Sequence, residues 1–268
     1  MVMVRLAKYV KDKRLLQIIG KFLRAGIMDG DTYIKRVEGT PQGGILSPIL
    51  ANILLDDLDK ELENRGHKFC CYADDCNVYV RSKPAAERVL ESLKKYIENK
   101  LKLQVNPNKS DAIKATKCTF LGYKFGRKAS LVASERSLKE LKRKVRNLTS
   151  RTLGRKLDSV IADINLILRG WMGYFHLDKR KTIYAETDRW IRRRIRCYRL
   201  KQRKGGKSLA KWLIHLGANE RDACHLSSSG KGWWRLSRTR VVSTTLNNRW
   251  INELGLISLQ RERDRLNS

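Results

Sequence analysis

Two adjacent carboxylates, Asp74 and Asp75, stand between two short apolar segments. Segments 69–72 and 77–80 have the composition of strands, which places the pair at the tip of a predicted hairpin. Neighbouring like charges repel each other, and a divalent cation removes that repulsion. Because Mg²⁺ prefers carboxylate oxygens and is often shared with substrate phosphates, the pair indicates a Mg²⁺ site. The simpler alternative is a solvated, Asp-rich turn.

Basic side chains are the second group that could do chemistry. The 268-residue chain has 58 Lys and Arg against 27 Asp and Glu, a net charge of +31. Residues 1–130 carry +10 and residues 131–268 carry +21. A charge of this size works against compaction unless a polyanion neutralises it. Nucleic acid is therefore the first expected partner, and an anionic membrane surface is the second.

A helix predicted over about 181–200 concentrates this charge on one face. Arg suits phosphate because its planar fork is bidentate and always charged. The face therefore predicts contact with an RNA backbone, against the plainer alternative of a solvated surface. The predicted RNA-binding residues are Arg189, Arg192, Arg193, Arg196, Arg199, Arg203 and Lys204. Interleaved aromatic residues could stack on unpaired bases; core packing is the expected role for most, and Trp233-Trp234 is the pair left open.

Several classes of protein are excluded. No apolar stretch approaches the ~20 residues of a membrane-spanning helix, and no secretory signal is visible. The six cysteines form no CxxC pair, which favours reduced thiols and a cytoplasmic location. A zinc site from His215, Cys224 and His225 lacks a matching ligand pair. A basic peripheral membrane protein is disfavoured because no basic helix has a broad aromatic face.

The elements that position the carboxylates mix helices and strands without strict alternation, which predicts an α+β fold. The spacing predicts one helix over 3–25, a strand over 32–37 and a helix capped by Ser47 with Pro48 in its first turn. Further strands are predicted over 103–105 and 119–125. After Ser134 the chain is predicted to be helical, with a capping box from Ser137 to Glu140 and a helix end at Gly170.

The motifs occur in the order of a known family. Residues 72–75 (Tyr-Ala-Asp-Asp) resemble the signature of reverse transcriptases, and residues 39–48 (GTPQGGILSP) resemble the loop-to-helix block upstream of it. Residues 109–110 and 120–123 resemble the last palm blocks. With its basic helical tail, the chain resembles group II intron reverse transcriptase/maturases over essentially its whole length. This resemblance implies a partial palm at 1–130, a helical thumb and maturase region at 131–204 and a C-terminal maturase or nucleic-acid-binding segment at 205–268.

The resemblance also implies roles for single residues. Asp74 and Asp75 would be catalytic and would hold Mg²⁺ in a two-metal site for nucleotidyl transfer. Gln42 and Gly43 would line the incoming nucleotide or template, since glycine allows close approach of the backbone. Lys109 would lie near the triphosphate, with a plain surface lysine as the alternative. Tyr72 would touch the primer, with a strand-packing aromatic as the alternative.

The implied partners are group II intron RNA, an RNA template with a DNA primer, and deoxynucleoside triphosphates, with no membrane. The implied function is RNA-directed DNA polymerisation together with intron splicing and mobility (retrohoming). A further metal-binding aspartate of the family, expected in an apolar strand before the first helix, is not found before Gly39, so the chain looks N-terminally truncated. We therefore expect it to be inactive alone in polymerisation, and the alternative function is that of a non-catalytic, RNA-binding maturase.

Overall fold

The computed structural model describes residues 2–29, 32–34, 44–203 and 205–267. The chain divides into two compact units, Met1–Ala115 and Thr116–Ser268. The first mixes helices with antiparallel strands and the second is mainly helical, so the predicted α+β class is confirmed. Among the described residues, no helix is both long enough and apolar enough to cross a membrane.

The first unit contains four α-helices and two antiparallel hairpins in its described residues. A single π-helical turn, Ile97–Leu101, continues the last helix. The elements are α1 (Val2–Tyr9), α2 (Lys13–Arg24), β1 (Ile27–Asp29), β2 (Thr32–Ile34), α3 (Ser47–Asn64), β3 (Lys68–Tyr72), β4 (Asp75–Tyr79) and α4 (Lys83–Tyr96).

The predicted single helix over 3–25 is wrong, because the chain breaks between α1 and α2. The Asp12 carboxylate accepts hydrogen bonds from the backbone N–H groups of Arg14 and Leu15, at 2.7 and 3.2 Å. This side chain caps a new helix instead of continuing the old one. The break allows α1 to pack on α3, where Arg5 forms a 2.5 Å ion pair with Asp57.

Helix α3 begins at Ser47, with Leu46 in the capping position and Pro48 in the first turn. The predicted Ser47 cap is therefore wrong, whereas the helix itself is confirmed. Its buried residue Leu50 joins one small core with α1 and α2. Leu58 and Leu62 join a second core with the hairpin β3–β4 and α4. One helix thus anchors both halves of the first unit.

The other strands of the first unit agree with the predictions only in part. The predicted strand 32–37 is a strand over Thr32–Ile34, and residues 35–37 lie outside the described part. Its partner β1 was not predicted; it follows α2 and has Asp29 as its last residue. Residues 103–105 form no strand, because Lys102 turns the chain at φ +55° and the Leu103 N–H donates back to the Ile97 carbonyl.

The second unit contains a three-stranded antiparallel sheet followed by nine α-helices in its described part. The sheet has the order β5–β6–β7. The elements are β5 (Thr119–Phe120), β6 (Tyr123–Phe125), β7 (Leu131–Ala133), α5 (Glu135–Leu148), α6 (Leu157–Phe175), α7 (Lys181–Gln202), α8 (Gly206–His215), α9 (Glu220–Ser227), α10 (Trp233–Leu236), α11 (Arg240–Thr245), α12 (Asn248–Glu253) and α13 (Leu259–Asn267).

The predicted strand 119–125 is a tight hairpin. Leu121 and Gly122 both have positive φ, +50° and +76°, which suits a two-residue turn between antiparallel strands. A Cβ at Gly122 would lie 3.1 Å from the Phe175 ring and 3.0 Å from the Ser137 hydroxyl. Glycine therefore allows the sheet to lie against α5 and α6.

Two helix ends in the second unit differ from the predictions. The cap of α5 is Ser134, whose hydroxyl accepts from the Ser137 N–H at 3.2 Å, and Ser137 lies inside the helix. Helix α6 continues through Gly170 to Phe175 because its buried stripe continues through Met172.

Helices α5, α6, α7 and α13 surround the largest core of the second unit. Buried acidic residues fix their ends. Asp178 is fully buried, pairs with Arg180 and accepts from the Ala133 N–H at 2.8 Å, which ties β7 to the α6–α7 connection. Asp188 on α7 accepts from the N–H groups of Leu259 and Gln260, and so caps α13. These anions work structurally, inside a strongly basic unit.

The structural division after Ala115 assigns the three-stranded sheet to the second unit. The predicted domain boundaries at 130 and 204 were drawn from the family resemblance and not from the compactness of the structure. They stay a prediction.

Candidate active-site hairpin and nucleic-acid interface

The hairpin β3–β4 positions the two adjacent carboxylates. Its register pairs Tyr72 with Asp75, which leaves a turn of only Ala73 and Asp74. Ala73 has φ +51°, a conformation that non-glycine residues seldom adopt. The hairpin is confirmed, but only Asp74 lies in the turn; Asp75 is the first residue of β4.

The two faces of the hairpin have different surroundings. Side chains alternate along a strand, so Phe69, Cys71 and Val78 share one face, and these residues pack on the core formed by α3 and α4. The opposite face carries Tyr72 and Asp75. The hairpin is therefore fixed on one side and presents its polar residues on the other.

Both carboxylates are exposed, and neither has a hydrogen bond or ion pair with another described residue. Within the described part of the chain, the two negative charges on this short, anchored turn are uncompensated. Their four oxygens suit a hard cation such as Mg²⁺, which also takes water and phosphate oxygens. In the described part of the chain, no group of three or more His, Cys, Asp or Glu side chains could hold a metal ion.

The other predicted nucleotide-binding residues lie in different places. Tyr72 is 62% exposed, directly opposite Asp75, and so is available to a ligand instead of packing in the core. Lys109 lies in an exposed turn, where its N–H donates to the Asn106 carbonyl at 3.2 Å; its side chain makes no hydrogen bond or ion pair with another described residue. Gln42 and Gly43 lie outside the described residues.

A pair of thiols on the core-facing side was not predicted. Cys71 and Cys76 are directly paired across the hairpin and hydrogen-bond to each other. This bond, with burial, raises the pKa of Cys71, and the same bond lowers the pKa of Cys76. Asp59 on α3 also bonds to Cys71. The spacing of the two cysteines around a two-residue turn was the available signal.

The arginine row on α7 is only partly exposed, because several of its guanidinium groups contact later helices. Arg193 lies 3.8 Å over the Trp234 ring and donates to the Trp234 carbonyl at 2.9 Å. Arg196 donates to the Leu246 carbonyl at 2.6 Å. Arg199 and Arg203 lie 5.3 and 4.7 Å over the Trp212 ring.

The arginines that contact other helices are also partly removed from water. Burial lowers the pKa values of Arg193, Arg196 and Arg199. By contrast, Arg189 is exposed, and neither it nor Arg192 has a hydrogen bond or ion pair with another described residue. Lys204 lies outside the described residues. The row thus divides into residues that join helices and residues that remain available, and its contact with RNA stays a prediction.

A basic cavity beside the end of this row was not predicted. It has a volume of about 480 Å³ and lies along one face of α8, whose other face is buried. Its lining is Arg203, Lys207, Ser208, Lys211, Trp212 and His215. Lys207, Lys211 and His215 recur every four residues, so they share one side of the helix. That periodicity was the signal in the sequence, and the lining contains no carboxylate.

The aromatic residues of the second unit mostly pack internally, as expected. Trp233 and Trp212 contact the core formed by α8 to α11, and Trp171 stacks 4.6 Å from Phe175. Trp234, from the pair left open, stacks with Arg193 and Arg194. In this structure its ring therefore binds a cation of the chain itself.

Two models of protein families match the chain. Residues 4–125 match the reverse transcriptase (RNA-dependent DNA polymerase) family, and residues 138–215 match the group II intron, maturase-specific domain. The hairpin with Asp74 and Asp75 lies in the first match. Helices α7 and α8 lie in the second.

Curated relatives are similar over shorter segments. The group II intron-encoded protein LtrA of Lactococcus lactis subsp. cremoris is 57% identical over 51 residues, which is 19% of this chain and 8% of the relative. A 91 kDa protein in the cob intron of Schizosaccharomyces pombe is 47% identical over 64 residues, 24% of this chain and 8% of the relative. Protein YkfC of Escherichia coli is 26% identical over 165 residues, 48% of this chain and 43% of the relative.

The aligned segments thus span less than half the length of each of these relatives. The two family models together, in this order along the sequence, identify the kind of protein. The chain belongs to the group II intron reverse transcriptase/maturase family.

Proposed function

We propose that this chain binds group II intron RNA for splicing and mobility, and that its hairpin carries catalytic carboxylates of an RNA-directed DNA polymerase. The observation that carries the proposal is the pair Asp74 and Asp75 at the tip of an anchored hairpin, where both are exposed and pair with no residue that the structure describes. A hairpin tip that served only the fold would not need two adjacent negative charges. The family match over residues 4–125 supports the same assignment.

The hairpin residues have separate roles in this proposal. Asp74 and Asp75 would hold Mg²⁺, and the ion would supply Lewis-acid activation of a primer 3′-hydroxyl and positive charge beside the pyrophosphate. Tyr72 contacts the primer from its exposed position opposite Asp75. Lys109 attracts the triphosphate of the deoxynucleotide. Gln42 and Gly43 line the nucleotide and the RNA template.

The three aspartates of α3 do not complete the site. Asp57 pairs with Arg5, and Asp56 pairs with Lys60 at 2.5 Å. Asp59 bonds to Cys71 on the core-facing side of the hairpin, opposite to the face that carries Asp75. Since transfer requires groups fixed on both sides of the reacting phosphorus, we infer that residues 1–268 alone do not extend a primer.

RNA binding rests on the second unit. Arg189, Arg192 and the α8 cavity provide cationic groups that pair with no acidic side chain among the described residues, which suits a phosphate backbone. The matched maturase-specific domain ends at residue 215, the last residue that lines the cavity. A maturase that binds intron RNA without polymerising uses the same surface, and this is the second candidate function.

Primer extension and RNA binding, measured together, test both parts of the proposal. The purified chain is tested on an RNA template with a DNA primer, Mg²⁺ and deoxynucleotides, beside an Asp74→Ala/Asp75→Ala variant, and RNA affinity is measured on the same samples. We expect salt-sensitive RNA binding in both proteins and no templated extension in either. Extension that the double variant loses would show that the chain polymerises by itself. If the unaltered chain does not bind RNA, the proposed function as a whole is refuted.

A further inference from the structure

Cys71 and Cys76 face each other on the hairpin, one on each strand. They are Cα partners in the register, and side chains of directly opposite residues lie next to each other on one face of the ladder. Cys70, by contrast, pairs with Asn77 and points to the other face. No other cysteine belongs to the first unit, because the remaining three lie after Ala115.

The register also fixes the backbone separation of this pair. Tyr72 and Asp75 flank a two-residue turn, so they form a hydrogen-bonded pair, and the next pair along the ladder is of the non-hydrogen-bonded kind. Partners of that kind have Cα atoms about 4.5 Å apart. Disulfides span Cα separations of about 4.4–6.8 Å. The register therefore places the two Cα atoms at a separation that a disulfide can span.

We propose that Cys71 and Cys76 form a dithiol modification site, which a low-molecular-weight disulfide converts into an intramolecular disulfide. One cysteine sulfur attacks the small disulfide, which gives a mixed disulfide and releases one small thiolate. The second cysteine sulfur attacks the protein-bound sulfur and releases the other small thiolate. The two cysteine protons pass to the released thiolates. Two protein thiols are thereby oxidised, and one small disulfide is reduced to two thiols.

The new bond would close a ring over residues 71–76. This ring contains Tyr72, the strained Ala73 and both carboxylates, so the modification constrains the turn that carries them. A thiol-rich cytosol reverses such a bond, which makes the modification responsive to the balance of thiols and disulfides. The inference rests on the register of the hairpin and holds whatever the carboxylates bind.

Peptide mapping of the full chain tests the proposal without any substitution. The reduced chain is treated with oxidised glutathione, the remaining thiols are alkylated with iodoacetamide, and trypsin is added. Residues 69–81 form one tryptic peptide with Cys70, Cys71 and Cys76 and no internal Lys or Arg. We expect this peptide to contain a disulfide between Cys71 and Cys76, which makes it two hydrogens lighter than the dithiol form, with Cys70 outside that bond and either alkylated or bound to one glutathione.

Two variants sharpen the assignment. Cys70→Ser should keep the internal disulfide, whereas Cys71→Ser should lose it and instead carry a glutathione adduct on Cys76. Circular dichroism establishes that both variants are folded. Three alkylated cysteines after treatment, separate glutathione adducts on Cys71 and Cys76, or a bond between Cys70 and Cys76 in the native chain would each overturn the proposal.

Discussion

The hairpin β3–β4 and the arginine row of α7 are both concentrations of like charge, but the structure treats them differently. On the hairpin, Asp74 and Asp75 have no partner among the described residues. On α7, Arg193 and Arg196 donate to backbone carbonyls of later helices. Concentrated charge therefore indicates a site only where the fold leaves that charge available.

The reason for the difference lies in the surroundings of each element. A two-residue turn extends beyond the core, so its side chains meet water. Helix α7, in contrast, is contacted along its length by elements that follow it in sequence, and α10 and α13 pack against it. A guanidinium group can cover an aromatic ring and still reach a carbonyl, so arginine tolerates this partial burial better than a carboxylate does.

The largest expected effect is on stability, and it concerns the arginines of the row that contact other helices. We expect Arg193→Ala to lower the free energy of unfolding by about 2–3 kcal/mol, because it removes a charged hydrogen bond and the stacking on Trp234. Arg189→Ala removes an equal charge from an exposed position and should change the free energy of unfolding by less than about 0.5 kcal/mol. Urea unfolding of both variants measures the difference. Equal unfolding midpoints would show that the row is uniformly solvated after all.

The next effect concerns RNA affinity at the α8 cavity. Each phosphate contact contributes roughly 0.7–0.9 to the salt slope of binding. Lys207→Ala/Lys211→Ala should therefore lower the slope by about 1.4–1.8 and weaken binding about 25- to 60-fold at 0.1 M salt. Filter binding with an intron transcript and an unrelated folded RNA should give similar losses, because phosphate contacts carry no sequence information.

Arg249→Ala is the matched control for this experiment. Its guanidinium group is exposed but pairs with Glu253 at 3.0 Å, so its removal should leave the slope unchanged. If the lysine variant keeps the original slope, the cavity does not bind phosphate. If Arg249→Ala lowers the slope as much as the lysine changes do, pairing within the chain does not determine which charges meet RNA.

The sequence allowed the carboxylate hairpin to be predicted because both determinants are local. The segments on each side have the composition of strands, and the residues between them are too few for anything but a tight turn. These two features place Asp74 and Asp75 at a hairpin tip without knowledge of the rest of the fold. The same holds for the hydrophobic stripes of α3 and α6 and for the length of α7. It fails where two local signals compete, as at Asp12, where a capping side chain interrupts an otherwise continuous helical pattern.

The fate of the arginine row could not be predicted, because it depends on contacts between residues distant in sequence. Arg196 contacts Leu246, fifty residues later, and Arg193 contacts Trp234. Periodicity shows that these arginines share a face, but not what lies against it. The α8 cavity was predictable in principle, since Lys207, Lys211 and His215 share a four-residue spacing. This pattern is shorter and weaker than the arginine row that precedes it, and it was therefore missed.

The smallest expected effect on stability, and the clearest on ligand binding, concerns the hairpin. Asp74→Asn should change the free energy of unfolding by less than about 0.5 kcal/mol, because the carboxylate pairs with no described residue and its repulsion with Asp75 is relieved. Isothermal titration with Mn²⁺ should show binding weaker than micromolar in the unaltered chain, since two carboxylates supply only part of an octahedral oxygen shell. The variant should show no binding.

Asp56→Asn is the control. It removes a carboxylate of the same unit, and this carboxylate already pairs with Lys60, so Mn²⁺ binding should be unchanged. Micromolar or tighter binding that Asp74→Asn abolishes would contradict this prediction, because it would require a further ligand for the ion within the chain. Binding lost equally in the control would place the cation on α3 and leave the hairpin carboxylates without a metal.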